Sequence, residues 1–249
     1  QKSHIKSLQY AGQADRAKKE IQTLYQKTNA FTKFDVDMIY AHFLIDQGEV
    51  DDALKILLPY YNEHSGDVAY LMLIAKAANI RGDSSLAIAT YLRVNQIKPK
   101  SSVGREAFFQ AAFVSYLSQD YDGALQRFDD YKKKYGGKNG QIAQWYVAWI
   151  RYLKGDYKGA YDMMDRFART KFSRKVRQQV FDAQKISYWK AICLLKMGQI
   201  DIAKRQLEKI SQDPSMGYYT ITAKARLSAL IPLLNQRKMA SLEEKNSKP

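Results

Sequence analysis

The fold of this chain is constrained most strongly by an alanine that recurs six times at a nearly constant interval. The six alanines are Ala17, Ala53, Ala87, Ala124, Ala160 and Ala203, and the intervals between them are 36, 34, 37, 36 and 43 residues. A repeat of this length is typical of a supersecondary unit that stacks on copies of itself, because one copy alone cannot bury its apolar face. The chain is therefore expected to be an array of such units.

Two further columns of residues indicate that each unit is a helical hairpin. Five residues before the alanines stand Gly12, Gly48, Gly82, Gln119, Gly155 and Gly198, and twelve residues before them stand Ile5, Ala41, Ala75, Ala112, Ala148 and Ala191. Glycine accepts at low cost the positive φ that ends a helix, so the first column predicts a turn. In every copy but the first, small residues stand on both sides of this turn and let the two helices of a hairpin cross closely.

The second helix of each unit carries a regular apolar face. Four residues after the alanines come Ile21, Leu57, Tyr91, Phe128, Met164 and Leu207, and seven residues after them come Leu24, Tyr60, Val94, Tyr131, Phe167 and Ile210. Residues at these spacings lie on one side of a helix. We expect these side chains to pack between helices.

The combined pattern resembles the tetratricopeptide family, whose unit is about 34 residues long. The resemblance implies an all-α fold, a right-handed solenoid of about six helical hairpins with a C-terminal capping helix. The hairpins are predicted at 1–29, 34–64, 67–98, 103–135, 141–168 and 180–211, and the capping helix at 216–235. Residues 1–235 are expected to form one domain, and the polar tail at 236–249 is predicted to be disordered.

Two segments interrupt the repeat. The glycine-rich run at 136–140 predicts a flexible linker between the fourth and fifth hairpins. The long interval before the sixth hairpin predicts an insertion at 168–177. This insertion holds no acidic residue and five basic ones, Arg169, Lys171, Arg174, Lys175 and Arg177.

The C-terminal part of the chain also resembles a narrower family, the soluble lytic murein transglycosylases. The resemblance rests on a Tyr-Trp-x-Ala phrase at 188–191, on Asp213-Pro214, and on the aromatic pair at 218–219. It covers about 141–230 and implies the end of that family's non-catalytic helical superhelix. Such a domain positions a catalytic domain or a partner on peptidoglycan, so the resemblance implies the bacterial periplasm or cell envelope.

The same resemblance argues against catalysis by this chain. The family's catalytic Glu-Ser pair and Gly-Leu-Met-Gln segment are absent from the 249 residues. Glycoside cleavage needs a carboxylic acid of raised pKa in a sugar cleft, whereas acidic pairs such as Asp51-Asp52 are interpreted as charges at helix ends. The three histidines, His4, His42 and His64, have no other metal-ligating residue at ligand spacing, so neither a metal site nor a cofactor is predicted.

Two simpler observations bear on the class of protein. No apolar run approaches the roughly 18 residues of a membrane span, so no spanning helix is predicted. Cys193 is the only cysteine, and we interpret its thiol as part of the core.

Aromatic residues collect in the fourth and fifth hairpins. In a tetratricopeptide array, the first-helix residues three before, one after and four after the crossing position line the inner face. In these two hairpins they are Phe109, Phe113, Tyr116, Trp145, Trp149 and Tyr152; the first two of these positions hold Met38, His42, Met72 and Lys76 in the second and third hairpins. The rings could hold sugar faces or an apolar helix. The alternative is that they pack between successive hairpins, since aromatic stripes at helical spacing are more often core.

The basic charge of the chain is a second indication of a binding surface. The chain has 40 Lys and Arg against 25 Asp and Glu, a formal net charge of +15. Arg174, Lys175 and Arg177 are therefore candidate contacts for a polyanion such as the cell wall, next to the aromatic residues. Nucleic acid is not expected as a partner, because no recognition helix or stacking sheet is predicted.

Two functions remain open from the sequence, and a third, that the chain is itself an enzyme, is much the weakest. The first is the non-catalytic domain of a transglycosylase-like cell-wall protein, whose catalytic domain lies outside this chain. The second is an independent tetratricopeptide scaffold that binds a peptide or helix of a partner protein. A catalytic domain after Pro249 in the parent protein would favour the first.

Overall fold

In the computed structural model of the chain, residues 2–27, 30–170, 182–214, 217–230 and 232 are described. All regular structure within these ranges is helical, and they contain no strand. The fold is all-α, as the sequence predicts. The chain divides into two compact units, 1–131 and 132–249.

The first unit contains the first four hairpins. Its helices are α1 (Lys2–Tyr10), α2 (Ala14–Tyr25), α3 (Lys33–Gln47), α4 (Val50–Leu57), α5 (Val68–Arg81), α6 (Ser84–Ile97), α7 (Ser102–Leu117) and most of α8 (Tyr121–Tyr135). A short 3-10 helix at Leu58–Tyr60 follows α4. The helices pair in chain order, so α3 packs with α4 and α5 with α6.

The second unit contains two further hairpins and a terminal helix. Its helices are α9 (Gly137–Leu153), α10 (Tyr157–Arg169), α11 (Ala183–Lys196), α12 (Ile200–Ser211) and α13, which covers 218–230. The six predicted hairpins and the helix after them are therefore present. The predicted tail at 236–249 lies outside the described residues, and the single domain at 1–235 stays a prediction.

The hairpin turns lie where the glycine column predicts them. Gly12, Gly48, Gly82, Gly155 and Gly198 all have positive φ, between 72° and 87°. Gln119 takes the place of glycine in the fourth hairpin and has a φ of 63°. It is the single non-glycine residue with positive φ in the described part of the chain. The turn therefore requires the left-handed conformation even where the side chain disfavours it.

The predicted crossing positions form the core. All six second-helix alanines are fully buried, and the residues twelve positions before them are at most 3% exposed. Eleven of the twelve apolar residues predicted on the second helices are buried as well. The exception is Tyr60, which lies partly at the surface.

Side-chain caps explain where many of these helices begin. Thr32 and Asp35 form a capping box at the start of α3. Asp or Ser side chains accept backbone N–H groups at the start of six other helices: Asp67, Asp83, Ser101, Asp120, Asp156 and Asp182. Such a cap stabilises a helix by about 1 kcal/mol, because it satisfies an N–H group that has no partner within the helix.

The glycine-rich run at 136–140 is not a flexible linker, so this prediction is wrong. Helix α9 begins at Gly137, and Gly140 is buried in its first turns. Gly136 and Gly137 have φ values of 57° and 63°. These conformations let the chain pass directly from α8 into α9, so the glycines serve a tight junction between two helices.

Candidate functional site

The first helices of the second, third and fourth hairpins line a groove in the first unit. Its volume is about 350 Å³, and its lining residues are His42 of α3, Ala69, Met72, Leu73 and Lys76 of α5, Tyr91 of α6, and Glu106 and Gln110 of α7. His42, Met72 and Lys76 occupy the columns expected on the inner face of the repeats.

The groove has an apolar floor and a polar edge. Leu73 and Tyr91 are 2% and 5% exposed, and Met72 lies beside them, half-buried. At the edge, Lys76 Nζ lies 3.3 Å from Asp46 Oδ1, and Gln110 Nε2 donates to Glu106 Oε1 at 2.7 Å. The Lys76–Asp46 pair is solvent-exposed, so it contributes little to stability and its charges can serve binding.

Glu106 and the buried Tyr91 line the same groove. The pKa of Tyr91 is raised, first by burial of its ring and then by the negative charge of Glu106. A carboxylate therefore faces a buried phenol at this edge. A bound segment would meet a negative charge at this point.

A smaller cavity of about 100 Å³ lies between α1 and α3. It is lined by Ile5, Lys6, Gln9, Ile39, His42 and Phe43. His42 lines both cavities, so the small cavity adjoins the groove. The side-chain Nε2 of Gln9 is shielded from solvent and makes no hydrogen bond to any residue that the structure describes.

The predicted aromatic residues of the fourth hairpin are partly buried against their own hairpin. The ring of Phe109 lies edge-on to Phe128 and Tyr131, with centroids 5.6 and 5.4 Å apart. Phe113 lies 5.9 Å from Tyr116 between ring centroids. All three predicted rings keep part of their surface exposed.

The predicted aromatic residues of the fifth hairpin pack against the sixth. Trp149 stacks on Tyr152 at 5.3 Å, and Trp189 of α11 meets Trp149 edge-on at 4.6 Å. Trp145 is 8% exposed, and Lys185 Nζ lies 3.7 Å from the centre of its ring. These rings lie between α9 and α11. Ligand binding by Trp149 and Tyr152, which stay partly exposed, is still a prediction.

The predicted basic contacts Arg174, Lys175 and Arg177 lie outside the described residues. Near the end of α10, Asp165 forms ion pairs with Arg169 of the same helix and with Lys190 of α11. The hydrogen bond from Lys190 lowers the pKa of Asp165, and the charge of Arg169 adds to the effect. The basic character at the start of the predicted insertion is thus partly compensated by a carboxylate.

Other classes of site find no support in the described residues. Within those ranges, no group of three His, Cys, Asp or Glu side chains could hold a metal ion. No helix found there combines the length and the apolar character that a membrane span requires. Cys193 is fully buried, and burial raises its pKa to about 12, so its thiol belongs to the core.

Comparison with known proteins places this geometry in a known fold. The sequence matches no family model and no curated protein. The structure is similar to a tetratricopeptide repeat protein from Parabacteroides merdae ATCC 43184, with a TM-score of 0.59 and 15% sequence identity over 98% of this chain and 89% of that chain. The fold is tetratricopeptide-like. This agrees with the repeat pattern of the sequence.

Two further solved structures share the fold. YrrB, described as a tetratricopeptide protein with an unusual peptide-binding site, gives a TM-score of 0.54 at 11% identity over 82% of this chain and 97% of that chain. A chain from the structure of Naa15/Naa10 bound to HypK-THB gives 0.56 at 14% identity, over all of this chain and 36% of that one. At these identities the similarity shows the fold alone. None of the three structures is described as a transglycosylase.

Proposed function

We propose that this protein is a tetratricopeptide scaffold that binds a peptide or helical segment of a partner protein in the groove of the first unit. The observation that carries the proposal is the lining of this groove. Leu73 and Tyr91 provide a buried apolar floor, while Lys76 and Glu106 provide charges at the edge. An amphipathic segment bound in such a groove gains affinity from its apolar side chains and alignment from its polar ones.

The size of the groove and the shared fold support the same function. A volume of about 350 Å³ suits a few side chains of one segment. Of the similar structures, YrrB is described as having a peptide-binding site and Naa15/Naa10 as bound to HypK-THB. Those descriptions concern those proteins, and they support the proposal that a chain of this fold binds a peptide or another protein. The proposed function needs no catalytic residue.

The narrower cell-wall function is a second proposal. It rests on the sequence resemblance to transglycosylases and on the partly exposed stack of Trp149 on Tyr152. In this proposal the chain lies in the periplasm or cell envelope and positions a catalytic domain on peptidoglycan. Sedimentation of the chain with insoluble peptidoglycan tests it: Trp149→Ala should reduce the sedimented fraction, and no sedimentation of the wild type would exclude this function.

The scaffold function is tested by selecting partners from a random peptide library displayed on phage, with the whole chain as bait. Affinities of the selected peptides are then measured by fluorescence anisotropy for two charge-reversal variants. Lys76→Glu changes the groove, whereas Lys55→Glu changes a second-helix lysine that also pairs with an aspartate, Asp52. The two substitutions alter the net charge equally. Met72→Ala removes apolar surface without changing charge, and Met163→Ala is its matched control in α10.

We expect Lys76→Glu and Met72→Ala to weaken the binding of the selected peptides by about tenfold. Groove contacts of this kind contribute about 1 kcal/mol or more to the binding free energy. Lys55→Glu and Met163→Ala should leave the affinities within about twofold of the wild type. Selection of no peptide, or equal losses for groove and control variants, would overturn the proposed function.

A further inference from the structure

The cavity between α1 and α3 is lined by one positively charged side chain, by further polar groups and by apolar residues. Its polar lining residues are Lys6, Gln9 and His42, and no Asp or Glu of the described ranges lines it. Its remaining walls are the apolar Ile5, Ile39 and Phe43. The lining therefore supplies a cation and hydrogen-bond donors, but no negative charge.

Gln9 provides a second, independent observation. Its Nε2 is shielded from solvent and makes no hydrogen bond within the described chain. A buried N–H group without an acceptor is costly, and buried polar groups in folded proteins are nearly always paired. Lys6, one position past the crossing residue of α1, is exposed and forms no ion pair with another described residue. If the Gln9 amide turns toward the cavity, one acceptor group with negative charge can satisfy both side chains.

We infer that this cavity binds the carboxylate of an Asp or Glu side chain in the partner segment. The inference rests on the proposed function, because the cavity is the continuation of the peptide groove past His42. Its volume of about 100 Å³ suits one side chain. The ligand is thus a segment that anchors one acidic residue here and lays apolar residues along the groove.

The charges of the groove favour one orientation of the bound segment. Glu106 lies at the far side of the groove, on α7, whereas the charge of Lys76 on α5 is paired with Asp46 of α3. A second acidic residue placed over α7 would be repelled by Glu106, whereas an acidic residue over α1 meets Lys6. Like-charge juxtaposition selects against the reversed orientation. We therefore expect the acidic residue at the end of the segment that lies over α1.

The test uses the peptides selected from the phage library, made synthetically with a free or an amidated C-terminus. In each peptide, every Asp and Glu is replaced in turn by Asn or Gln. Two protein variants carry the same change of charge, Lys6→Glu in the cavity and Lys18→Glu on the exposed side of α2. A third variant, Gln9→Met, keeps the size of the side chain but removes the unpaired donor. Thermal unfolding of each variant is measured alongside.

We expect one acidic residue of each peptide to be required, with a loss of tenfold or more when it is neutralised. Lys6→Glu and Gln9→Met should weaken binding similarly, without lowering the unfolding temperature, and Lys18→Glu should not. A peptide with Lys in place of its required acidic residue should bind Lys6→Glu better than the wild type.

Three outcomes would contradict the inference. If peptide binding depends on Lys76 but tolerates the replacement of every Asp and Glu in the peptide, the groove binds segments. The inference that the cavity binds an acidic side chain is then wrong. If amidation of the C-terminus weakens binding and side-chain neutralisation does not, the cavity binds a terminal carboxylate instead. If no peptide is selected, the proposed function and this inference fail together.

Discussion

The hydroxyl of Tyr60 donates a hydrogen bond to Oδ2 of Asp37 at 2.6 Å. Asp37 is 3% exposed, and its carboxylate also accepts from the Tyr25 hydroxyl at 2.5 Å and from Lys33 Nζ at 2.6 Å. These donors come from α2, from α3 and from the 3-10 helix after α4. One buried carboxylate therefore joins the first hairpin to the second.

Stability of the protein should fall in acid as Asp37 becomes protonated. Burial alone would raise the pKa of Asp37, but hydrogen bonds from Lys33, Tyr25 and Tyr60 outweigh burial and lower it. The folded-state pKa therefore lies below the unfolded value of about 3.9. The stabilisation from Asp37 is complete above about pH 4 and is lost as pH falls through the folded-state pKa. Urea unfolding followed by circular dichroism between pH 2 and 7 measures this loss.

The matched variant for this prediction is Asp37→Asn, which keeps the shape but removes the charge. At pH 7 we expect it to lower the free energy of unfolding by about 1–3 kcal/mol, because buried donors lose their charged acceptor. The difference from the wild type should shrink at acid pH. A difference that is the same at pH 2 and pH 7 would contradict the role of the carboxylate charge.

Replacing Gln119 by glycine should stabilise the protein. The φ of 63° at Gln119 is unfavourable for a residue with a side chain, and the other five hairpin turns use glycine at this position. We expect Gln119→Gly to raise the free energy of unfolding by about 0.5–1 kcal/mol, since relief of backbone strain exceeds the added entropy of the unfolded chain. Thermal unfolding measures the change.

The reciprocal substitution provides the control. Gly82 has a φ of 86°, and a Cβ added there would have no other heavy atom within 4 Å. Gly82→Gln therefore changes backbone strain without a steric clash, and it should destabilise by about 1 kcal/mol. Stabilisation by both substitutions, or by neither, would contradict this account of the turns.

Enlarging the crossing residues of the second unit should destabilise it. Ala148 and Ala191 are fully buried, so an added isobutyl group has no free space. We expect Ala148→Leu and Ala191→Leu each to lower the free energy of unfolding by about 1–3 kcal/mol through overpacking. Ala168→Leu, at an exposed position of α10, is the control and should be nearly neutral. Equal unfolding curves for all three variants would mean that the helices do not cross at these residues.

The single cysteine should react only when its surroundings open. Cys193 is fully buried, and burial raises its pKa to about 12, so at pH 8 almost no thiolate is present or accessible. Iodoacetamide should therefore label the native protein far more slowly than the protein in urea, as measured by intact mass. Equal labelling rates in the two conditions would show that the thiol is not in the core.

The columns of residues that recur in every hairpin could be predicted from the sequence. The crossing position, as at Ala148, and the turn position, as at Gly82, occur once in each of six hairpins. Each position needs the same kind of residue every time, so the six copies reinforce the pattern. Part of the groove could be predicted for the same reason, since Met72 and Lys76 belong to recurring columns. Tyr91 was predicted as packing, and it contributes to the floor of the groove as well.

Features that occur once could not be predicted in this way. Asp37 meets Tyr25 and Tyr60 only in the folded chain, and nothing in the repeat marks these three residues as a set. Gly136 and Gly137 have a linker composition, but their use as a helix junction depends on where α8 and α9 pack. That Gln9 lacks a hydrogen-bond acceptor can be recognised only once the burial of its side-chain amide is known.

The proposed function requires that the first helices of the first unit hold a segment of a partner. Photo-crosslinking of a selected peptide to benzoylphenylalanine placed at position 76 or at position 55 tests it most directly. Position 76 lines the groove, and position 55 is an exposed site on the second helix of the preceding hairpin. We predict crosslinks from position 76 and none above background from position 55. Crosslinks from position 55 alone, or equal yields from both positions, would contradict the claim.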